Sequence, residues 1–454
     1  MPSYKVTDTA VVARTLAATT GWTAFTSLQT VFDLARTQGL PVFLQPGVYT
    51  NGPLTVLPSN GSGKPLTVEA VPGTATIYFS GGGTGMRVED MSYVRFRGVR
   101  FDGANRPLPD YAFLRPAYIA LKNTNDVTFE DCQIINSTGI GVYVTGGNAR
   151  IVGSYVATHS VGVFSEDALV YVHRNNITMI SNNAVVIWRN TITGDSSEIV
   201  GNTINGVETA AGGTGENGNG VVVFRAVGVT IRDNRIFSTK FSAIRCNGGG
   251  RHIIDANYIW NIREVAIYVE APGPGIDLTG VVISNNHLDT VGTGISVANQ
   301  GLYSDGIARS VVIDGNRISN ARIQQITDPG YSPQAAGGNG ITAETDCTIS
   351  GNIVDGVDVG GIQIGVNNAT RDIVVAGNLV RSCQRGIGVS INAIQGGAGE
   401  VVVSGNIVRA ASNGAIVPIQ FDGTTMSRVG TADYGNQLAT TVGRVTFGHN
   451  RAAA

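Results

Sequence analysis

The residues of this chain best suited to chemistry are Arg245, Asn247, Tyr268 and Glu270. They fall on two stretches of alternating pattern, Phe241-Ser242-Ala243-Ile244-Arg245-Cys246-Asn247 and Glu264-Val265-Ala266-Ile267-Tyr268-Val269-Glu270. Successive side chains of a strand point to opposite faces. Val265, Ile267 and Val269 therefore share one face, and Glu264, Ala266, Tyr268 and Glu270 share the other. With the two strands side by side and in register, Arg245 neighbours Tyr268 and Asn247 neighbours Glu270. Rungs of a parallel sheet lie about 4.8 Å apart and alternate residues of a strand about 6.6 Å apart, so the four side chains fit a patch roughly 7 Å on a side. One pyranose ring spans such a patch.

Two reactions fit this inventory. In β-elimination a base takes the proton α to a uronate carboxylate, a cation neutralises that carboxylate, and an acid protonates the leaving oxygen. Tyr268 is the base or acid in that scheme, and Arg245 is the neutraliser that also lowers the tyrosine pKa by proximity. Hydrolysis or glycosyl transfer instead needs two carboxylates. Glu270 and Glu344 lie two rungs apart, about 10 Å between backbones, near the range of about 6.5–9.5 Å for inverting enzymes. Glu264 shares a strand with Glu270 and is the weaker partner. β-Elimination is preferred because Arg and Tyr are neighbours. Hydrolysis is the alternative, as is glycan binding without turnover in the manner of a tailspike-like adhesion module. The plainest competing reading makes Arg245 and Glu270 a surface ion pair of little energetic weight.

The outward row extends beyond these four residues. Glu166, Trp188 and Phe224 occupy equivalent positions on other strands, and the two rings are placed to stack on neighbouring sugars or to pack beneath the segment 208–219. Arg189 and Arg225 each follow an aromatic at a strand end, where satisfying corner carbonyls competes with substrate contact. Asn247 and Glu270 together offer the oxygens for a Ca²⁺ ion; otherwise no cofactor is expected. His173, His252 and His287 sit beside a different motif, away from this row.

What positions these residues is a repeat. The block apolar-x-(Gly/Asp/Arg)-Asn-x-apolar recurs with its asparagine at 175, 202, 234, 257, 286, 316, 352, 378 and 406, at gaps of 27, 32, 23, 29, 30, 36, 26 and 28 residues. After each comes a short strand opened by a small residue and an apolar one, such as Gly162-Val163, Ala243-Ile244, Ala266-Ile267 and Gly340-Ile341. A unit of this length with β-branched strands and no helical pattern is a coil of a parallel β-helix. The asparagines are expected to turn inward at a corner and bond the backbone of the next coil.

Composition agrees: 61 glycines among 454 residues and 14% charged residues describe a β-rich, turn-rich chain. A net charge of −2 supplies no attraction for nucleic acid. No run of about 18 apolar residues is present to span a membrane. Cys132, Cys246, Cys347 and Cys383 lack metal-ligand spacing, and Cys246 and Cys347 fall where buried free thiols are expected. No basic segment followed by an apolar one opens the chain.

Residues 1–52 read as an N-terminal segment with an amphipathic helix over 26–38, 53–421 as the β-helix and 422–454 as a C-terminal cap. Leu28, Val31, Phe32 and Ala35 form the helical stripe, and Gly39 stops it. That helix, the strand after it and Pro46-Gly47-Val48-Tyr49 resemble the N-terminal cap of the pectate-lyase-like superfamily. Long excursions at 102–117, 208–219 and 324–339 interrupt the coils. Asn182-Asn183 with Val186-Ile187-Trp188-Arg189 resembles an uncharacterised alphaproteobacterial group of right-handed β-helix repeat proteins exported by the twin-arginine route. So do Gly213-Thr214-Gly215 with Gly218-Asn219-Gly220 and Val223-Phe224-Arg225-Ala226, together with the stretches 241–245 and 264–268. The resemblance covers most of 40–420. It implies a single-stranded right-handed parallel β-helix with an N-terminal capping helix and, with its signal removed, a periplasmic or secreted protein. The expected partner is a polysaccharide or oligosaccharide, with homo-oligomers left open.

Overall fold

The residue before each repeating asparagine explains why the chain turns where it does. Arg174, Asp233, Ala256 and Asn285 all sit at φ between 54° and 57°, and Gly201, Gly315, Gly351, Gly377 and Gly405 between 63° and 68°. This left-handed backbone is tolerated best by Gly, Asn and Asp, hence the Gly or Asp that so often precedes the asparagine. The computed structural model describes residues 3–6, 11–14, 22–25, 27–57, 64–79, 83–106, 116–209, 217–271, 273, 275–298, 308–326, 334–366, 370–396, 399–421 and 426–453. They divide into two compact units, Met1–Asn190 with Asp195–Gly218, and Thr191–Gly194 with Asn219–Ala454.

In the second unit each coil contributes three strands, each paired in parallel with its counterpart one coil later. A first sheet runs from Val221–Val227 through Ile244–Asn247 and later coils to Ile416–Phe421. A second runs from Thr230–Arg232 to Val445–Gly448. A third, following the asparagine turn, runs from Arg235–Thr239 to Arg451–Ala453. Inside, like stacks on like: Ile244, Cys246, Ile267, Val269, Ile295 and Val297 are each 0% exposed. The opening Gly of the first-sheet strands answers to close approach, since a Cβ on Gly294 would lie 2.4 Å from the Gly340 carbonyl oxygen.

The asparagines form the expected ladder. Asn286 Nδ2 donates to the Ile254 carbonyl at 2.9 Å and to Asn316 Oδ1 at 2.9 Å, while its own Oδ1 accepts from the Asn257 backbone N–H at 3.0 Å. The ladder reaches Asn450, whose Oδ1 accepts from the Asn406 N–H at 3.0 Å. The repeat therefore continues into the segment 422–454, read from the sequence as a C-terminal cap. In the first unit other residue types take the same place. Ser154 N–H donates to Asn175 Oδ1 at 2.8 Å, and Cys132 N–H to Ser154 Oγ at 3.0 Å.

The first unit opens with three strands that the sequence pattern does not announce, Ser3–Val6, Val11–Arg14 and Trp22–Phe25, joined antiparallel. Ser3–Val6 also pairs in parallel with Val42–Leu44. The helix follows at Leu28–Gln38, with Ser27 capping it and Gly39 ending it at φ 71°. Its stripe of Leu28, Val31, Phe32 and Ala35 is buried as expected. Of the three excursions, 107–115, 210–216 and 327–333 lie outside the described residues. The third begins and ends as an antiparallel ribbon, Ile323–Ile326 with Gln334–Gly337. All four cysteines are buried free thiols.

Replacing Asn286 by Ala removes one acceptor and two donors from a buried row, and each group left unpaired costs about 1–3 kcal/mol. The expected loss is at least about 2 kcal/mol by denaturant unfolding, against under about 0.5 kcal/mol for Leu438→Ala on the surface. A second expectation concerns acid. Burial holds the His159 imidazole down to a pKa of about 4, outweighing its hydrogen bonds to the Ile134 and Ser137 backbone. The unfolded chain takes up that proton near pH 6.5 and the folded chain does not. The stability His159 contributes is therefore present above pH 6.5 and lost as pH falls toward 4. An NMR titration should find this ring neutral through pH 5, and protonation near 6.5 would refute the assignment.

Candidate functional site

The register that brings the chemistry together is the anticipated one: Arg245 pairs with Tyr268 and Asn247 with Glu270 on neighbouring rungs of the first sheet. Ile244, Cys246, Ile267 and Val269 fill the interior, so the intervening residues face outward. Phe224 stands opposite Asn247, and Tyr268 opposite Ser296, which is opposite Thr342. Glu270 is opposite Ala298, and the Glu344 N–H donates to the Val297 carbonyl at 3.2 Å. Glu270 and Glu344 thus occupy the two-rung separation read from the sequence.

The expectation of an open surface is not met. Arg245 is 6% exposed and Glu270 2%. Arg245 Nε donates to Asn247 Oδ1 at 3.0 Å and to Glu270 Oε1 at 2.9 Å, and Nη2 also meets that carboxylate. The guanidinium carbon lies 5.2 Å from the centroid of Tyr268 and 5.3 Å from that of Phe241. Phe241, which lies outward in the alternating pattern, is a member of the site that residue-type reasoning passed over. A desolvated, hydrogen-bonded and ring-flanked ion pair is not the weak surface pair considered as the alternative, because solvent no longer screens it.

Two sequence expectations are corrected here. Arg245 does pull the Tyr268 pKa downward, but burial and then the Glu270 charge outweigh it, and the phenol is pushed well above its ordinary value. Tyr268 is therefore a neutral hydrogen-bond donor to Glu270 and not an activated base. The Ca²⁺ site does not fit either: the oxygens of Asn247 and Glu270 that would bind the ion already converge on the Arg245 cation.

The remaining candidates separate. Glu344 is half-buried and acts on Tyr268 through its charge. Glu264 lies in the middle of the strand Tyr258–Glu270 and pairs with Arg263 at 2.9 Å. Arg225 sits at φ 57° with its guanidinium 4.8 Å from the Phe224 ring centroid. In the first unit Glu166 and Trp188 are neighbours in register. Glu166 accepts from the Tyr143 hydroxyl at 2.7 Å, and Trp188 Nε1 donates to Asn190 at 3.3 Å. Arg189 takes the corner role foreseen for it, donating to the Ala168 carbonyl at 3.1 Å and pairing with Asp195 at 2.7 Å.

A family model described as "Right handed beta helix region" matches residues 73–204 and 191–364. The chain belongs to the right-handed β-helix family. Among solved structures, this β-helix protein is similar to PfbA, a surface adhesin of Streptococcus pneumoniae, at 13% identity over 92% of this chain and 94% of that one, with a TM-score of 0.47. It is also similar to the catalytic unit of the GH87 alpha-1,3-glucanase from Streptomyces thermodiastaticus, at 14% identity over 94% and 66%, TM-score 0.44. Tailspike protein 3 of Bacteriophage CBA120 matches at 11% identity over 88% and 60%, TM-score 0.48. No curated protein matched by sequence. Among the described residues of this β-helix, no helix is long and apolar enough to cross a membrane.

Because the pair is buried, Glu270→Leu alone strands a guanidinium and lowers stability by about 3–5 kcal/mol, whereas Arg245→Met with Glu270→Leu recovers most of it. Denaturant unfolding of the three proteins decides. A single-variant loss under about 0.5 kcal/mol would return the pair to the surface class.

Proposed function

We propose that this protein is a carbohydrate-active β-helix that binds a polysaccharide or oligosaccharide along the outer face of the first sheet and cleaves it by hydrolysis. The carboxylate pair is Glu270 and Glu344. One observation carries the choice of reaction: Arg245 is already neutralised by Glu270 at 2.9 Å, beside a Tyr268 phenol that burial keeps protonated. β-Elimination needs a cation to spare for the uronate and a base able to lose its proton, and neither is on offer. Hydrolysis needs two carboxylates at roughly the separation of Glu270 and Glu344. Tyr268 then orients Glu270 by donating its one proton to it, which leaves the phenol oxygen to accept from a sugar hydroxyl, while Phe224 and Phe241 supply flat apolar surface. The reading also places the protein outside the cytoplasm, where such polymers are met.

Binding without turnover is the second reading, favoured by the 2% exposure of Glu270. Incubation with neutral and uronate-containing polysaccharides distinguishes the readings. Hydrolysis releases reducing ends with no ultraviolet enone band, and Glu344→Gln lowers the rate by about 10²–10⁴. An enone band would restore elimination, and retention of polymer with unchanged product size would establish a binding module.

A further inference from the structure

The third sheet carries a cleft that the row of Arg245 and Tyr268 does not use. The first and third residues after each ladder asparagine face outward, and register aligns them in two columns. Tyr258, His287 and Arg317 form one, and Trp260, Asp289, Ser319, Asp355 and Arg381 the other. Between them lies a cavity of about 480 Å³ lined by Tyr258, His287, Asp289, Ser319, Asn320 and Asp355 among others, a volume typical of small-molecule sites.

One end of the cleft is lined by two rings, Tyr258 and His287, which meet edge-on at 4.9 Å. Behind them Tyr258 leans on Trp260 at 4.8 Å, and Trp260 stacks on Phe237 at 4.1 Å. Tyr258 nevertheless remains 41% exposed. The floor is a fixed acceptor: Asp289 Oδ1 accepts from Ser319 Oγ at 2.7 Å and Asn320 Nδ2 at 2.8 Å, and Oδ2 accepts from Thr290 at 3.1 Å. Burial raises the pKa of Asp289, but these three donors together with His287 outweigh it and leave the carboxylate below its ordinary value. The second acid, Asp355, is paired with Arg381 at 2.9 Å.

Charge then selects the class of ligand. Two carboxylates, Asp289 and Asp355, are matched by two guanidinium groups, Arg317 and Arg381, so the cleft favours neither an anion nor a cation. It offers acceptors, hydroxyl and amide groups in rigid array beside a partly exposed ring. The complement is a neutral molecule dense in hydroxyl groups with one C–H face. We propose that this cleft is a second binding site, for one or two pyranose units of a neutral saccharide, separate from the first-sheet row and independent of any chemistry there.

The test is calorimetric titration of the full chain with cellohexaose, maltohexaose and laminarihexaose, with trigalacturonate as the anionic control, followed by amide hydrogen exchange on each mixture. The expected result is binding of at least one neutral hexaose with protection at residues 258–260, 287–290 and 317–320. Tyr258→Ala and Asp289→Asn should each weaken it at least about ten-fold. Protection at 244–247 and 266–270 reports the first-sheet row separately, so either site can fail without the other. Absence of protection in the third-sheet strands with every neutral hexaose, protection by trigalacturonate alone, or unchanged affinity in both variants would overturn the proposal. Exchange on the unsubstituted protein decides the matter even if a variant fails to fold.

Discussion

Each unit depends on neighbouring coils holding one register, and the buried asparagine amide enforces it. Asn286 reaches both ways, accepting from Asn257 and donating to Ile254 and Asn316, so a coil that slips by one residue abandons several buried polar groups. Because side chains alternate with period two, the same slip would turn Ile244 and Cys246 outward and Arg245 inward. The chemistry on the first sheet is thus specified by hydrogen bonds on the far side of the coil.

Burial then decides what that chemistry can be. The desolvation that makes the Arg245–Glu270 pair costly to break also keeps Tyr268 protonated, and a cation already spent on a carboxylate cannot serve a substrate uronate. In the proposed reading the contact with Arg245 positions Glu270 as one of the two carboxylates. It also fixes Asn247 and the flanking rings of Tyr268 and Phe241, and leaves the half-buried Glu344 as the more accessible acid of the face.

Much of the fold was legible because it is written in periodicities. Two-residue alternation paired Arg245 with Tyr268 before any coordinates, and the recurrent Asn located the corners. Asn450 escaped because it follows Asn406 after 44 residues, longer than any earlier gap, and Ser154 and Cys132 because the ladder position accepts other hydrogen-bonding side chains. The strands before residue 26 show no alternation to read. The environment of the site was illegible for a different reason: the sign of the Tyr268 shift and the burial of Glu270 depend on what packs over the face, which local sequence does not encode. The Tyr258 to Asp355 cleft went unseen for a related reason. It arises only when five coils separated by about thirty residues are stacked, and its members sit beside a motif whose structural duty was already sufficient.

The most direct measurement is a crystal structure of the protein soaked with oligosaccharides. The account predicts a pyranose ring over Tyr268 with its glycosidic oxygen between Glu270 and Glu344, and Arg245 still paired to Glu270. A sugar carboxylate that displaces Glu270 from Arg245, or a ligand that leaves the 245–270 face untouched, would contradict it.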